Sequence, residues 1–391
     1  MKIEDKIISF LTAQKSAMFN FLESLVTIQS GSYNKKGVDR VGSAIGDVLA
    51  KISMETEVVT QKLFGNHVIA RSPACSTAET QMMFVGHMDT VFPADTEFNW
   101  YKEDERNSYG PGVIDMKGGL VVGIFALKAL AELNLLETMP ITFLLNSDEE
   151  IGSRSSVELI QREANQSAFA FVLEAGGLEN KIVTGRKGNL SIEIQITGEA
   201  GHAAFAPVDK RSAILEMAHK IIELEALNSP DRGITVNVGK VDGGIGPNTV
   251  PELSTALVDF RYVDPPDSIY LEKKVAAISR KNSIAGTECR VEFLSGRPPM
   301  QQSAGNRSLF KQFETLSGLL GHTVEEEFRF GVSDANFIAD LNVPVLDGLG
   351  PIGLKDHSND EYMIKDSLLE RSILLACGTI ACWDAYRNGT L

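Results

Sequence analysis

Four apolar runs frame the chain, and each stops at a polar tip. Met82-Met83-Phe84-Val85 ends in Gly86-His87-Met88-Asp89. Ile141-Thr142-Phe143-Leu144-Leu145 ends in Ser147-Asp148-Glu149-Glu150, and Phe169-Ala170-Phe171-Val172-Leu173 ends in Glu174. Val343-Pro344-Val345-Leu346 leads into a loop with Asp356-His357. Short runs with no wet face predict strands buried on both sides. In open α/β sheets, ligands bind beyond the carboxyl ends of such strands.

Helical spacing fills much of the rest. Residues 1–30, Ile45–Ile52 and Leu120–Leu133 predict helices, and Thr56–Thr60 predicts a short strand. Alternation of strand and helix implies a mostly parallel sheet covered by helices. Near Thr184 the pattern changes. Leu190–Thr197 alternates apolar and polar residues strictly, as a strand with one wet face does. A helix over Ser212–Leu227, strands over Ile234–Val241 and Thr255–Val263, a helix over Asp267–Lys281 and a strand over Cys289–Leu294 complete a β-α-β-β-α-β order, the ferredoxin-like motif. After Pro298-Pro299 the first pattern returns, with helices over Ser308–Leu320 and Ser333–Leu341, a strand over Thr323–Phe330 and a terminal helix from Asp366 to about Tyr386. The expectation is an α/β chain in which residues 1–183 and 298–391 form one domain and residues 184–297 are inserted into it.

Composition narrows the function. At 391 residues the chain exceeds one ordinary core. A net charge of −15 argues against nucleic acid or an anionic membrane as partner. Cys75, Cys289, Cys377 and Cys382 are too widely spaced for a zinc ribbon or a disulfide framework and read as thiols in a reducing compartment. The N-terminal stretch carries acids among its apolar residues, unlike a signal peptide, and no apolar run approaches the ~20 residues that span a bilayer. Cytoplasmic placement is the expectation.

The polar tips carry the candidate chemistry. Asp89 lies two residues beyond His87, where it can hold the second imidazole nitrogen and fix the tautomer, as partners of metal-bound histidines do. Asp115 closes the Gly110-Pro111-Gly112 loop and could bridge two ions, one oxygen to each. Glu149 and Glu150 are adjacent acids at the end of a buried run, which repel unless a cation is present; one would ligate and the other act as base. Glu174 and His357 bring the candidate ligands to five, enough for a bridging Asp115 and two terminal ligands per ion. Which pair shares an ion is open from the residues alone. Oxygen and imidazole donors suit Zn²⁺, with Mn²⁺ or Co²⁺ as alternatives.

The segments GHMDTV, GPGVIDMKGG, SDEEIGS, LEAGG, GEAGHAAFAP and GPNTVP, with the His357 loop, resemble the zinc aminoacylase/carboxypeptidase family in order and over nearly the whole chain. That family includes acetylornithine deacetylase, succinyl-diaminopimelate desuccinylase and glutamate carboxypeptidase, and the chain resembles the last branch most. The resemblance implies a di-zinc exopeptidase-like catalytic domain and an inserted lid that makes a homodimer. It implies His87, Asp115, Glu150, Glu174 and His357 as ligands of two Zn²⁺ per subunit, and Glu149 as general base. It makes His202 the histidine that reaches a partner subunit's site and stabilises the oxyanion. Asn248 and Arg261, and more weakly Arg297, match binders of a substrate carboxylate. His67, His219 and His322 have no motif around them and are expected to be structural.

The expected activity is hydrolysis of a peptide or N-acyl amide bond beside a free carboxylate, releasing a C-terminal amino acid. The nearest alternative is an N-acyl amino acid deacylase or dipeptidase. A non-catalytic binding protein would be expected to lack a ligand or the base, and none is lacking here. A phosphoesterase is disfavoured by the few clustered basic groups in the inserted block.

Overall fold

The structure, a computed structural model, describes residues 2–321 and 323–391. It divides into two compact units: residues 1–185, 302–328 and 333–391, and residues 186–301 with 329–332. His322 lies outside the described residues.

The first unit is built on a six-stranded sheet in the order Glu55–Val59, His67–Arg71, Ile141–Asn146, Gln81–His87, Ser167–Val172, Val345–Leu346. The last four strands run parallel, while Glu55–Val59 and His67–Arg71 join as an antiparallel pair on Ile141–Asn146. Three of the five pairings are parallel, so the sheet is mostly parallel as expected and mixed at one edge. At that edge Glu55–Val59 and His67–Arg71 follow each other closely enough to form a hairpin, which needs no crossover helix. Gln81–His87 and Ile141–Asn146 are buried along their whole length, in keeping with their largely apolar sequences.

Helix Lys117–Glu132 packs against strand Gln81–His87, and helices Lys365–Arg387, Ile3–Ala13 and Lys15–Val26 pack against it in turn. A helix enclosed in this way loses its polar face, and it is apolar or glycine from Gly118 to Leu127. Gly119 permits the approach: a Cβ there would stand 1.9 Å from the Leu173 carbonyl oxygen. The segment expected as one helix over residues 1–30 is two, Ile3–Ala13 and Lys15–Val26, with Gln14 between them. A small sheet of Gly353–Leu354, Tyr362–Ile364, Asn107–Tyr109 and Lys102–Glu103 completes the unit; strands of two and three residues leave no periodicity to read.

The second unit is a four-stranded antiparallel sheet in the order Thr235–Gly243, Leu253–Tyr262, Gly188–Thr197, Glu288–Arg297. Helices Ala213–Glu225 and Pro265–Arg280 pack on it. Ile192, Ile194 and Ile196 form its core with Met217, Leu224, Leu271 and Val275. The alternation of buried and half-buried residues along Gly188–Thr197 matches its period-two sequence. Among the described residues no helix is long and apolar enough to cross a membrane.

Candidate metal centre

His87 is the last residue of its strand and is buried. Its Nδ1 lies 3.0 Å from the Asp89 backbone oxygen and 3.4 Å from Asp89 Oδ1. A carbonyl only accepts, so Nδ1 carries a proton and Nε2 faces the cluster. Nε2 stands 3.1 Å from Asp115 Oδ1 and 3.6 Å from Glu174 Oε1. The other Asp115 oxygen, Oδ2, lies 3.2 Å from His357 Nε2, and the same nitrogen is 3.2 Å from Glu150 Oε2. One carboxylate thus spans two imidazoles, with Glu174 beside the first and Glu150 beside the second.

Separate loops deliver these groups. Glu149 and Glu150 lie on a single helical turn, Glu149–Ile151, that follows strand Ile141–Asn146. The Asp89 carboxylate, fully buried, accepts the amides of Glu149 at 3.2 Å and Glu150 at 3.3 Å, and the Ser32 hydroxyl at 2.7 Å. Asp148 takes the Ser155 amide and the Ser155 and Ser156 hydroxyls, which closes the turn from the other side. Asp115 ends a loop in which Gly110 and Gly112 have φ of +151° and +81°, conformations that favour glycine. His357 itself sits at φ +59°, uncommon for a residue with a side chain.

Charge in the cluster is unbalanced without a cation. Burial, and then the charge of Asp115, push Glu150 up to about 8. Burial drives Glu174 well above the carboxylate range. Hydrogen bonds to Asp115 and Glu150 hold His357 up to about 11. Burial works to lower His87, but the Asp115 and Asp89 carboxylates outweigh it and keep the ring protonated well above its ordinary value. Asp115 takes the opposite shift: burial opposes its charge, and the two histidines hold it well below the usual range. Protons occupy places that divalent ions would suit. Glu150 Oε1 is buried with no hydrogen-bond partner, as a ligand oxygen facing an ion would be. Ligand atoms of His87, Glu149 and Glu174 lie within 4.8 Å of one another, as do those of His87, Asp115 and Glu150, and of Asp115, Asp356 and His357. The donor set therefore fits metal ions.

The groups expected from the second unit fall in two places within it. His202 ends the short strand Gly201–His202, paired with Thr249–Val250. It is exposed, its Nδ1 accepts the Ala204 amide at 3.2 Å, and its ring packs on Phe205 at 5.0 Å between centroids. Asn248, also exposed, accepts the Ala203 amide through its carbonyl. Arg261 and Arg297 stand opposite Asn189 from the two neighbouring strands, so their side chains share one face of the sheet. Arg261 is already paired with Asp259 at 2.7 Å. His219 is exposed in its helix, and His67 is buried between Ser147 and Ser155.

Sequence reasoning passed over several groups. Ser32 reaches Asp89 from 57 residues away. Glu361 is buried and accepts backbone amides of the Asp115 loop. Lys117, fully buried, donates to the Ile28 carbonyl at 2.8 Å, and burial pulls its pKa down to about 7. Lys187 lies close enough to Arg261 to feel its charge and donates to the Gly233 carbonyl. A buried lysine at the start of an apolar helix was the one visible signal.

Residues 83–378 match the profile of Peptidase family M20/M25/M40. Carboxypeptidase G2 of Pseudomonas sp. (strain RS-16) is 25% identical over 390 residues, covering 97% of this chain and 92% of that one. Succinyl-diaminopimelate desuccinylase of Dechloromonas aromatica (strain RCB) is 26% identical over 321 residues, covering 76% and 82%. A tripeptidase from Staphylococcus aureus subsp. aureus mu50 shares the fold with a TM-score of 0.76 at 23% identity, covering 94% of this chain and 99% of that one.

Proposed function

The chain belongs to Peptidase family M20/M25/M40, and from that premise we propose that it is a two-metal hydrolase that cleaves a peptide or N-acyl amide bond beside a free carboxylate, releasing a C-terminal amino acid. One observation carries the reading: the two oxygens of Asp115 face two different histidines at 3.1 and 3.2 Å. His87, Glu174 and Asp115 would hold one ion, and His357, Glu150 and Asp115 the other. Zn²⁺ suits the donors, with Mn²⁺ or Co²⁺ as alternatives. A pair of such ions supplies a nucleophile from water at neutral pH and polarises the scissile carbonyl.

The chain's own groups do the rest. Glu149 takes the proton from the attacking water and returns it to the leaving nitrogen. Asp89 keeps the His87 ring in one tautomer and holds the turn that carries Glu149 and Glu150. The inserted unit acts as lid and homodimer contact. Its His202 donates to the oxyanion in a partner subunit's site, and Arg261, Asn248 and Arg297 receive the substrate carboxylate. The four unbonded thiols fit a cytoplasmic protein.

The match to a desuccinylase favours a second reading, removal of an N-acyl group from an amino acid. Metal content and hydrolysis of C-terminal amino-acid peptides, dipeptides and N-acyl amino acids, before and after chelation, test both. Release of a C-terminal amino acid that is lost on chelation and restored by Zn²⁺ is expected. Activity indifferent to chelation ends the two-metal reading, and a preference for N-acyl amino acids selects the deacylase.

A further inference from the structure

Two loops distant in sequence meet at the cluster. One, Gly110 to Asp115, carries the carboxylate between the two histidines. The other, Asp356 to Glu361, carries His357. They leave the same strand pair: Tyr362–Ile364 runs antiparallel to Asn107–Tyr109, with Tyr362 opposite Tyr109, Met363 opposite Ser108 and Ile364 opposite Asn107. That register sets Glu361 against the start of the Gly110 loop. Its Oε2 accepts the Gly112 amide at 2.9 Å, and its Oε1 accepts the Ile114 amide at 2.9 Å and the Asp115 amide at 3.1 Å. Glu361 is 1% exposed.

We propose that Glu361 is a positioning residue for metal binding: its carboxylate gathers the amides of the Gly110–Asp115 loop and so fixes Asp115 relative to His357. Three convergent N–H groups fix the loop backbone in three places, the last on Asp115 itself. The loop has few internal ties of its own, among them the Val113 amide to the Gly110 carbonyl at 3.1 Å. Its two left-handed glycines, Gly110 and Gly112, would otherwise leave it loose. Because Glu361 lies four residues beyond His357, the same tie sets the distance between the two groups, 3.2 Å from Asp115 Oδ2 to His357 Nε2. Partners of this kind orient ligands without touching the ion. An amide side chain would not serve equally. Glutamine offers one accepting oxygen, so its amide NH₂ would face at least one backbone N–H.

The inference rests on the proposed metal site, and the test separates the two. Full-length, metal-depleted protein is titrated with Zn²⁺ in competition with a chromophoric chelator, alongside thermal melts and circular dichroism. Glu361→Gln is expected to keep the wild-type spectrum and to bind Zn²⁺ about 10–100-fold more weakly. Glu163→Gln is the control, because Glu163 is an equally buried carboxylate that accepts from Arg71 and Arg162 and bonds to none of the candidate ligands. It is expected to melt earlier with Zn²⁺ affinity unchanged. Wild-type affinity in E361Q overturns the inference, as does a matching affinity loss in E163Q. If E361Q does not fold, Glu361→Asp, which keeps the carboxyl group but withdraws it by one methylene, is read in the same way. Wild-type protein that takes up no Zn²⁺ removes the proposed function and the inference together; wild-type uptake matched by E361Q removes the inference alone.

Discussion

The carboxylate of Asp89 accepts the backbone amide of Glu150 at 3.3 Å, across 61 residues of sequence. The same carboxylate approaches His87, so one buried acid holds both a candidate ligand and the turn of another. Asp89→Ala should weaken Zn²⁺ binding and lower kcat, each by about 10–100-fold. Asp89→Asn keeps one accepting oxygen and should fall between the two. Chelator competition and steady-state kinetics measure this, and Ala behaving as wild type would show that the turn stands without Asp89.

Glu149→Gln should retain two ions and lose about 10²–10⁴ in kcat, the usual worth of a positioned proton carrier. Metal analysis beside turnover separates base from ligand. Glu149 approaches His87 and Glu174 closely enough to ligate. A fall in bound metal would therefore move it from base to ligand.

His202→Ala should leave the melting temperature unchanged, because the ring is exposed and touches only Ala204 and Phe205 among the contacts resolved. Loss of an oxyanion donor would cost about 10²–10³ in kcat with little change in KM. A wild-type rate would retire that role.

Metal affinity should rise with pH. In the ion-free site burial holds Glu150 at about 8, and its carboxylate partners hold His357 at about 11. Below those values both carry protons that an incoming cation must displace, so acid competes with metal and alkali favours it. With one proton displaced from each, Zn²⁺ affinity should climb about a hundredfold per pH unit from about pH 6 to 8, and about tenfold per unit above that, where Glu150 has lost its proton and His357 keeps its own. Titrations in weak buffer should show proton release on binding. A flat profile would mean that neither Glu150 nor His357 holds a proton that the metal must displace.

The sequence was most legible where burial was complete. Strands such as Gln81–His87 and Ile141–Asn146 have no wet face, so their apolar runs stand out and the acids and histidine that end them stand out with them. The structure gathers His87, Asp115, Glu150, Glu174 and His357 into one cluster. Glu361 was illegible for a different reason. Its partners are backbone amides up to 249 residues away, which impose no pattern on the residues around it. The direction of the His67–Arg71 strand was hidden in the same way, because an alternation or a run says that a strand is buried and not which neighbour it chooses. Residues Val157–Ala164 form a helix that went unread; at eight residues it shows barely two turns of period.

The strand pair that joins Asn107–Tyr109 to Tyr362–Ile364 bears on how the protein comes into being. Four of the five clustered groups leave the ribosome by Glu174, but His357 and Glu361 emerge roughly 180 residues later, after about 10–35 s of synthesis. Through that interval His87 is the one histidine of the cluster yet made, and Asn107–Tyr109 has Lys102–Glu103 on one side and lacks its partner on the other. Ions captured then would meet an incomplete set of donors. Pairing of the late strand with the early one brings His357 and Glu361 to the cluster, so correct loading would follow their emergence.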